Sequence, residues 1–454
     1  MSVVASNGID SLPDSLISQI LLWLPTKDSV KTSVLSSRWR NLWLDVPGLE
    51  LDLTFLTPSS SKSAAINNLL DRFMEPRLQK LKIKYDDSNN VSRFGSSKLI
   101  ATVINRGVEH LDVESFSILP RDFMPLDIYK SKTLVSLKLA YVGMSSPGYV
   151  VSLPCLKIMQ LENIKCRKRD PLIIENLISG CPVLEDLNLC WDGGYNQLPV
   201  LRVRSQSLKR FCVRSSPLSI SRSKEYAVEI DAPRLEYINF RDKNTRIVVA
   251  KNMSSLFMID IDAKFNVEKM KKGTISDFLD RVSGVRHMII SQPTLEVLLP
   301  YFKHGLASKF RNLSRLEATF CNVLLQRFPD FLESFPKLKH LTLYLVYMKE
   351  LEPENLELTN VPTCLLSTLE CVEIKEVITR NNQRTVLKQW HKKTIWMEAV
   401  RYILENSLLL KKLILCFSPK TIKVSKMSKS LATFTKRSPK CEVFIRWTSL
   451  SKST

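Results

Sequence analysis

The chain has 454 residues, with 66 Lys/Arg against 45 Asp/Glu, a formal net charge of +21 and 44% hydrophobic residues. That length exceeds one ordinary domain and points to two or three units or a repeat array. No apolar run is long enough to span a bilayer, and the opening MSVVASNGIDSL has neither the basic start nor the apolar core of a secretory signal, so nucleus and/or cytoplasm is expected. The ten cysteines form no C-x-x-C pair and have no histidine partner at zinc spacing. They read as small buried hydrophobes in a reducing compartment, with no metal and no cofactor implied. The positive charge is uneven. Lys375–Thr454 carries eighteen Lys/Arg against four Asp/Glu, whereas Met1–Asp52 carries four against six.

In chain order, Ile9 to Leu53 reads as three short helices. Pro13 suits a first helical position and Asp14 meets the positive end of the dipole. Leu16, Ile17, Ile20, Leu21 and Leu24 recur at helical spacing as one broad apolar face, and Pro25 stops the helix. Thr26 is expected to cap a second helix carrying Val30, Val34 and Leu35. Ser36 or Ser37 is expected to cap a third with Trp39, Leu42 and Trp43. Roughly forty residues are too few to enclose so many large apolar side chains. Part of this surface is therefore covered either by another protein or by the rest of the chain.

The stretch LPDSLISQILLWLPTKDSVKTSVLSSRWRNLW resembles the F-box of plant F-box proteins. The matching features are the Leu12-Pro13 and Leu24-Pro25 pairs and the V-x-x-x-V-L-S-x-R-W-R-x-L-W segment. The resemblance implies docking on the Skp-type adaptor of a cullin–RING ubiquitin ligase. It places Leu12, Pro13, Ile17, Ile20, Leu21, Leu24, Pro25, Val34, Leu35 and Trp39 in or behind the adaptor-facing surface, without separating contact residues from internal ones.

Residues 6–53 are thus expected to form the F-box. Residues 54–77 follow as a linker, with a Pro/Ser loop at Pro58–Ser63 and helical character at Ala65–Met74. From Leu78 a pattern L-x-x-L-x-L recurs twelve times, from Leu78/Leu81/Ile83 through Leu134/Leu137/Leu139 and Leu235/Ile238/Phe240 to Leu369/Val372/Ile374. Its middle residues stand 21 to 31 positions apart. That is the leucine-rich-repeat period with irregular insertions, so residues 78–366 are expected to form a curved solenoid with a parallel sheet. One turn cannot bury its own apolar face, so turns must stack. The wide gaps Lys84–Gly107 and Ser215–Ala232 read as larger loops. Trp191–Tyr195, Arg214–Tyr226 and Arg241–Arg246 are candidate recognition loops or simply variable surface.

Residues 367–448 change character. A repeat strand, a basic insert at Asn381–Thr394, a helix around Met397–Leu404, a strand at Lys412–Phe417 and a last strand at Glu442–Trp447 follow one another. This order resembles the FBD domain that follows the repeats in many plant F-box proteins. The matching residues are Leu369-x-x-Val372-x-Ile374, A-V-x-Y-I-L-E-N-S-x-x-L-K-K-L-I-L and R-S-P-K-C-E-V. Such a segment is expected to cap the repeat sheet.

No His-Glu-x-x-His, no G-x-S-x-G and no phosphate-cradling glycine loop occurs. His110 and His340 read as surface positions on strands. The fold class expected is therefore α/β: F-box, repeat solenoid, FBD-like end. Two functions from different classes remain. One is a non-catalytic substrate receptor, not an enzyme, bound through the Skp-type adaptor to cullin and RING subunits and holding an unknown target protein. The other is a basic repeat module for nucleic acid or acidic protein. The resemblance favours the first, with nucleic acid not called for and no membrane.

Overall fold

The computed structural model describes residues 9–54, 78–86, 96–116, 123–166, 172–191, 200–215, 226–241, 245–251, 253–263, 265, 273–303, 310–346, 358–377, 394–417 and 431–447. The chain divides into two compact units, Met1–Lys224 and Glu225–Thr454. The expected loop at Pro58–Ser63, the helix at Ala65–Met74, most of Trp191–Tyr195 and all but the last residue of the insert Asn381–Thr394 lie outside the described residues.

The first unit opens with helix α1 (Asp14–Leu21) and helix α2 (Thr26–Lys31). Pro13 and Pro25 each stand one residue before a helix, with φ of −58° and −54° and extended ψ. The Pro13 carbonyl accepts from the amides of Leu16 and Ile17, so the ring conformation starts the helix from just outside it. The expected third helix is absent. Residues 37–41 are turns, followed by a 3₁₀ segment at Leu42–Asp45. Side chains hold this stretch instead of a helical ladder. The Arg38 guanidinium donates to the Asp14 carboxylate at 2.6 and 2.9 Å and to the Leu12 carbonyl, and Trp43 Nε1 donates to the Arg40 carbonyl at 3.1 Å.

Thr26 does not cap α2 with its side chain. Its hydroxyl accepts from the Glu50 amide at 2.7 Å. Glu50 lies in β1 (Gly48–Asp52), a strand that the repeat pattern did not flag. Val46-x-x-Leu49-x-Leu51 is nonetheless a further copy of the motif with valine leading. Leu49 and Leu51 are buried and lie in register with Leu81 and Ile83 of β2 (Lys80–Tyr85). The sheet continues in parallel through β3 (His110–Ser115), β4 (Ser136–Ala140), and the strands Ile158–Glu162, Asp186–Trp191 and Arg210–Ser215.

The register stacks Leu81, Leu111, Leu137, Met159, Leu187 and Phe211 in one buried column and Ile83, Val113, Leu139, Leu161, Leu189 and Val213 in a second. The connecting turns repeat a hydrogen bond. The Gln79 carbonyl takes the amides of Glu109 and His110, the Glu109 carbonyl those of Val135 and Ser136, and the Glu185 carbonyl those of Lys209 and Arg210. A spacing in sequence thereby becomes a spacing in space.

The wide gaps are not plain loops. A helix at Ser96–Asn105 fills the first, burying Leu99, Ile100, Val103 and Ile104. Strand Tyr226–Asp231 occupies part of the second and pairs in parallel with Thr245–Ala250, where Arg241–Arg246 was expected to be loop. Both segments lie in the second unit. Its main sheet runs in parallel from Tyr237–Arg241 through Met258–Ile261, His287–Ile290, Arg315–Cys321, His340–Val346, Cys371–Val377 and Lys412–Phe417 to Glu442–Trp447. All twelve sequence motifs form strands of these two sheets, and His110 and His340 are exposed on theirs. Phenylalanines fill the turns of the second unit, with Phe331 and Phe335 in edge contact at 4.8 Å and Phe302 edge-on to Phe331 at 5.2 Å. Helix Thr394–Asn406 packs there through Tyr402, whose ring meets Phe328 edge-on.

Two outcomes follow. The helix Ile173–Ser179 ends at Gly180, where a Cβ would lie 2.7 Å from both the carbonyl oxygen and Cγ1 of Val151. Gly180→Ala should therefore cost about 1–3 kcal/mol, read as a lower midpoint in chemical denaturation. In the second unit, His287 Nε2 lies 3.2 Å from one Glu317 oxygen and the Tyr344 hydroxyl donates to the other at 3.1 Å. The His287 contact, with Tyr344 behind it, holds the Glu317 carboxyl below the usual carboxylate range despite its burial. A lowered acid contributes stability above its unfolded pKa of about 4.3, and that contribution disappears as pH falls through the folded value. Glu317→Gln should flatten this acid limb in a profile of melting temperature against pH.

Candidate docking site

The knob made by α1, α2 and the 3₁₀ turns has its own small core. Ile17, Leu21, Trp39, Leu42 and Val46 are buried together, with Leu12 and Leu22 packed against them. Leu22 also closes the joint to the sheet, because its Cδ1 occupies the space a Cβ on Gly48 would enter. Ser29, buried, donates to the Leu21 carbonyl at 3.1 Å and ties the two helices. The core is filled from one side of α1 only. Positions 17 and 21, four apart, point inward.

The other apolar side chains of the knob point out. Leu16, Ile20 and Leu24 are about half exposed, Leu35 is 63% exposed, and Val34 and Trp23 are 86% and 88% exposed. Of the residues marked from sequence, Pro13, Ile20, Leu24, Pro25, Val34 and Leu35 thus lie on the outside, and Leu12 is half-buried. Ile17, Leu21 and Trp39 belong to the inside and support the surface without forming it. Sequence reasoning did not mark Leu16, Trp23 and Val30, which are exposed on the same elements. The signal was available. Leu16 and Ile20, four apart on α1, form a stripe beside the Ile17/Leu21 stripe, whereas Trp23 lies past the end of α1 and borders the sheet. Exposed apolar side chains on one small module are the mark of a protein contact.

All ten cysteines are free, and burial pushes Cys181 and Cys364 up to about 12. Among the described residues no group of three or more His, Cys, Asp or Glu side chains is placed to hold a metal ion. Among them, no helix is long and apolar enough to cross a membrane.

The sheet surface of the first unit is polar. Glu50–Lys82 and Lys84–Glu114 pair across neighbouring strands at 2.7 and 2.6 Å, and Asp186–Arg210 at 2.9 Å. Near the strand ends lies an open groove of about 690 Å³ that runs from β3 across five neighbouring strands. The candidate loop Arg214–Tyr226 contributes Arg214 to it, and residues 216–225 lie outside the described residues.

With this arrangement in view, comparison with known proteins is decisive. The F-box domain model matches residues 9–50, a model described as FBD-associated F-box protein At5g56370, LRR repeats, matches residues 97–276, and the FBD model matches residues 357–415. The Arabidopsis thaliana putative F-box/FBD/LRR-repeat protein At5g44950 is 46% identical over 96% of this chain and 99% of its own length. The chain belongs to the F-box/FBD/LRR-repeat family. F-box/FBD/LRR-repeat proteins At1g13780 and At2g26030 of the same plant are 45% and 46% identical, each covering 96% of this chain. The order F-box, leucine-rich repeats, FBD is that expected from the sequence, on an α/β framework with large parallel sheets.

Division of the knob into inside and outside has a direct consequence. Trp39→Ala, at a side chain 2% exposed, should cost the knob about 3–5 kcal/mol. Faster hydrogen exchange of the α1 amides, with the sheet amides unchanged, is the expected readout.

Proposed function

We propose that this F-box/FBD/LRR-repeat protein is the substrate-recognition subunit of an SCF-type cullin–RING ubiquitin ligase. The F-box module supports a Skp-type adaptor as its partner, and the adaptor links it to cullin and RING subunits. The repeats hold the target protein. The chain performs no covalent step of its own. It raises the local concentration of a target lysine beside a charged conjugating enzyme carried by other subunits. Free thiols throughout suit a reducing compartment, so we place this work in the nucleus or cytoplasm.

One observation carries the reading. The knob fills its core with Ile17, Leu21, Trp39, Leu42 and Val46, joins the first strand through Leu22 and Thr26, and still presents Leu16, Ile20, Leu24, Val34 and Leu35 outward. Contact with the described residues of the chain leaves this apolar surface open, so a second protein is its natural cover.

The test is co-expression with a Skp-type adaptor followed by pull-down and titration. Val34→Ala with Leu35→Ala should weaken adaptor binding by about 2–4 kcal/mol while leaving the melting temperature unchanged. Unchanged adaptor affinity in the folded double variant would sink the assignment of this surface. Absence of adaptor capture, together with nucleic-acid binding that collapses as salt rises, would instead favour the basic-module reading.

A further inference from the structure

The groove in the first unit has a built shape and an unbalanced charge pattern. Along one row of the sheet, Glu114, Ala140, Glu162 and Cys190 lie in register on four consecutive strands, followed by Arg214 on the fifth. The small side chains Ala140 and Cys190 lower the floor between the longer ones. Phe116, 54% exposed, forms one end. The rim is made by Tyr141, which takes a left-handed φ of 57°, costly for a bulky residue. This conformation lets its amide donate to the Glu162 carbonyl at 2.8 Å and brings its hydroxyl 3.4 Å from Glu162 Oε1.

Glu114 is ion-paired with Lys84, whereas Asp112 and Lys138 act on each other only through a longer-range attraction. The remaining two charges lining the groove are Glu162 and Arg214. Among the described residues no cation pairs with Glu162, and Arg214 has only the Asn188 side-chain oxygen, at 3.4 Å. These two opposite charges face the groove two strands apart, and Phe116 lies two strands from Glu162 on the other side.

Neighbouring strands are about 4.8 Å apart, and a polyproline II segment advances about 3.1 Å per residue with three residues per turn, so two strand steps match three residues and every third side chain returns to the same face. We propose that this groove holds a segment of the target protein in polyproline II conformation that crosses the strands. It places an apolar side chain on Phe116, a basic one at Glu162 and an acidic one at Arg214, successive anchors three residues apart. Naming the segment as part of a ubiquitination target rests on the substrate-receptor reading. The binding itself does not, so adaptor capture and peptide binding fail or succeed independently.

The probe is a fluorescein-labelled peptide containing Leu-Ala-Ala-Lys-Ala-Ala-Glu, titrated with the full-length chain and followed by anisotropy. Its control is Leu-Ala-Ala-Lys-Glu-Ala-Ala, of identical composition. The spaced peptide should bind roughly fivefold more tightly than the control, and Glu162→Gln or Arg214→Gln should each remove that preference. A chain carrying Glu162→Lys should prefer the peptide with Glu in place of Lys. Equal affinity for the two spacings, affinity unmoved by both Gln variants, or no binding of either peptide would each overturn the proposal. Melting temperatures of the variants identify any that fail to fold.

Discussion

Everything in this protein depends on the inability of one repeat turn to cover its own strand. Each turn presents two apolar side chains inward, and only the equivalent pair on the next turn can cover them. Stacking is therefore compulsory, and it fixes register. Leu111 must meet Leu81 on one side and Leu137 on the other, because a slip of one residue would turn both leucines outward. Once the inner columns are set, the outer positions are set with them. The charge ladder and the groove floor at Ala140 and Cys190 follow from the same constraint, although none of those residues takes part in the core column.

That constraint also explains the joint between knob and sheet. A stack of parallel strands begins with an edge whose amides and carbonyls lack a neighbour. Here the first strand, Gly48–Asp52, is met by α2, and the Thr26 hydroxyl takes the Glu50 amide. Val46 serves both parts, since it lies in the knob core and leads the first repeat motif. A module of roughly forty residues thus borrows stability from the sheet it covers. It does so through α2 and Leu22, which leaves the outer stripe of α1 and the Val34–Leu35 corner unused. Internal packing accounts for Ile17 and Leu21 and leaves Leu16 and Ile20 of the same helix exposed.

Repeat strands were legible because their signal is redundant. A two-residue alternation, recurring across neighbouring turns, identifies even a weak copy such as Val285/Met288/Ile290, which forms strand His287–Ile290. Single-residue inferences fared differently. Thr26 has the chemistry of a helix cap, but the same hydroxyl suits any nearby amide, and a strand amide distant in sequence took it. The third helix failed because Arg38 found Asp14 across the knob, a contact with no local signature. Strand Tyr226–Asp231 was hidden in a long gap where only Val228 and Ile230 mark its alternation. On α1 the apolar stripe was clear but its division was not. Leu16, Ile17, Ile20 and Leu21 all satisfy helical spacing, and only the position of Trp39 decides that Ile17 and Leu21 face in. Of the groove only Arg214 lay in a stretch marked from sequence for recognition, since its residues come from five turns and share no stretch of sequence.

The net charge of +21 is a poor guide to what the described sheet surface offers a ligand. In the first unit, Glu50–Lys82, Lys84–Glu114, Glu185–Lys209 and Asp186–Arg210 pair across neighbouring strands at 2.6 to 3.0 Å. Opposite charges this close cancel well within a Debye length of about 8 Å, so a distant ligand meets little potential from them. Half-exposed pairs of this kind also add little to stability. Their consequence is for recognition. A uniformly basic face would attract any polyanion and release it as salt rises. A face of paired charges instead repels no class of ligand strongly and rewards only one whose charges fall where a pair is missing. Glu162 and Arg214 are such places, and their separation is set by the strand spacing that the apolar columns behind them enforce.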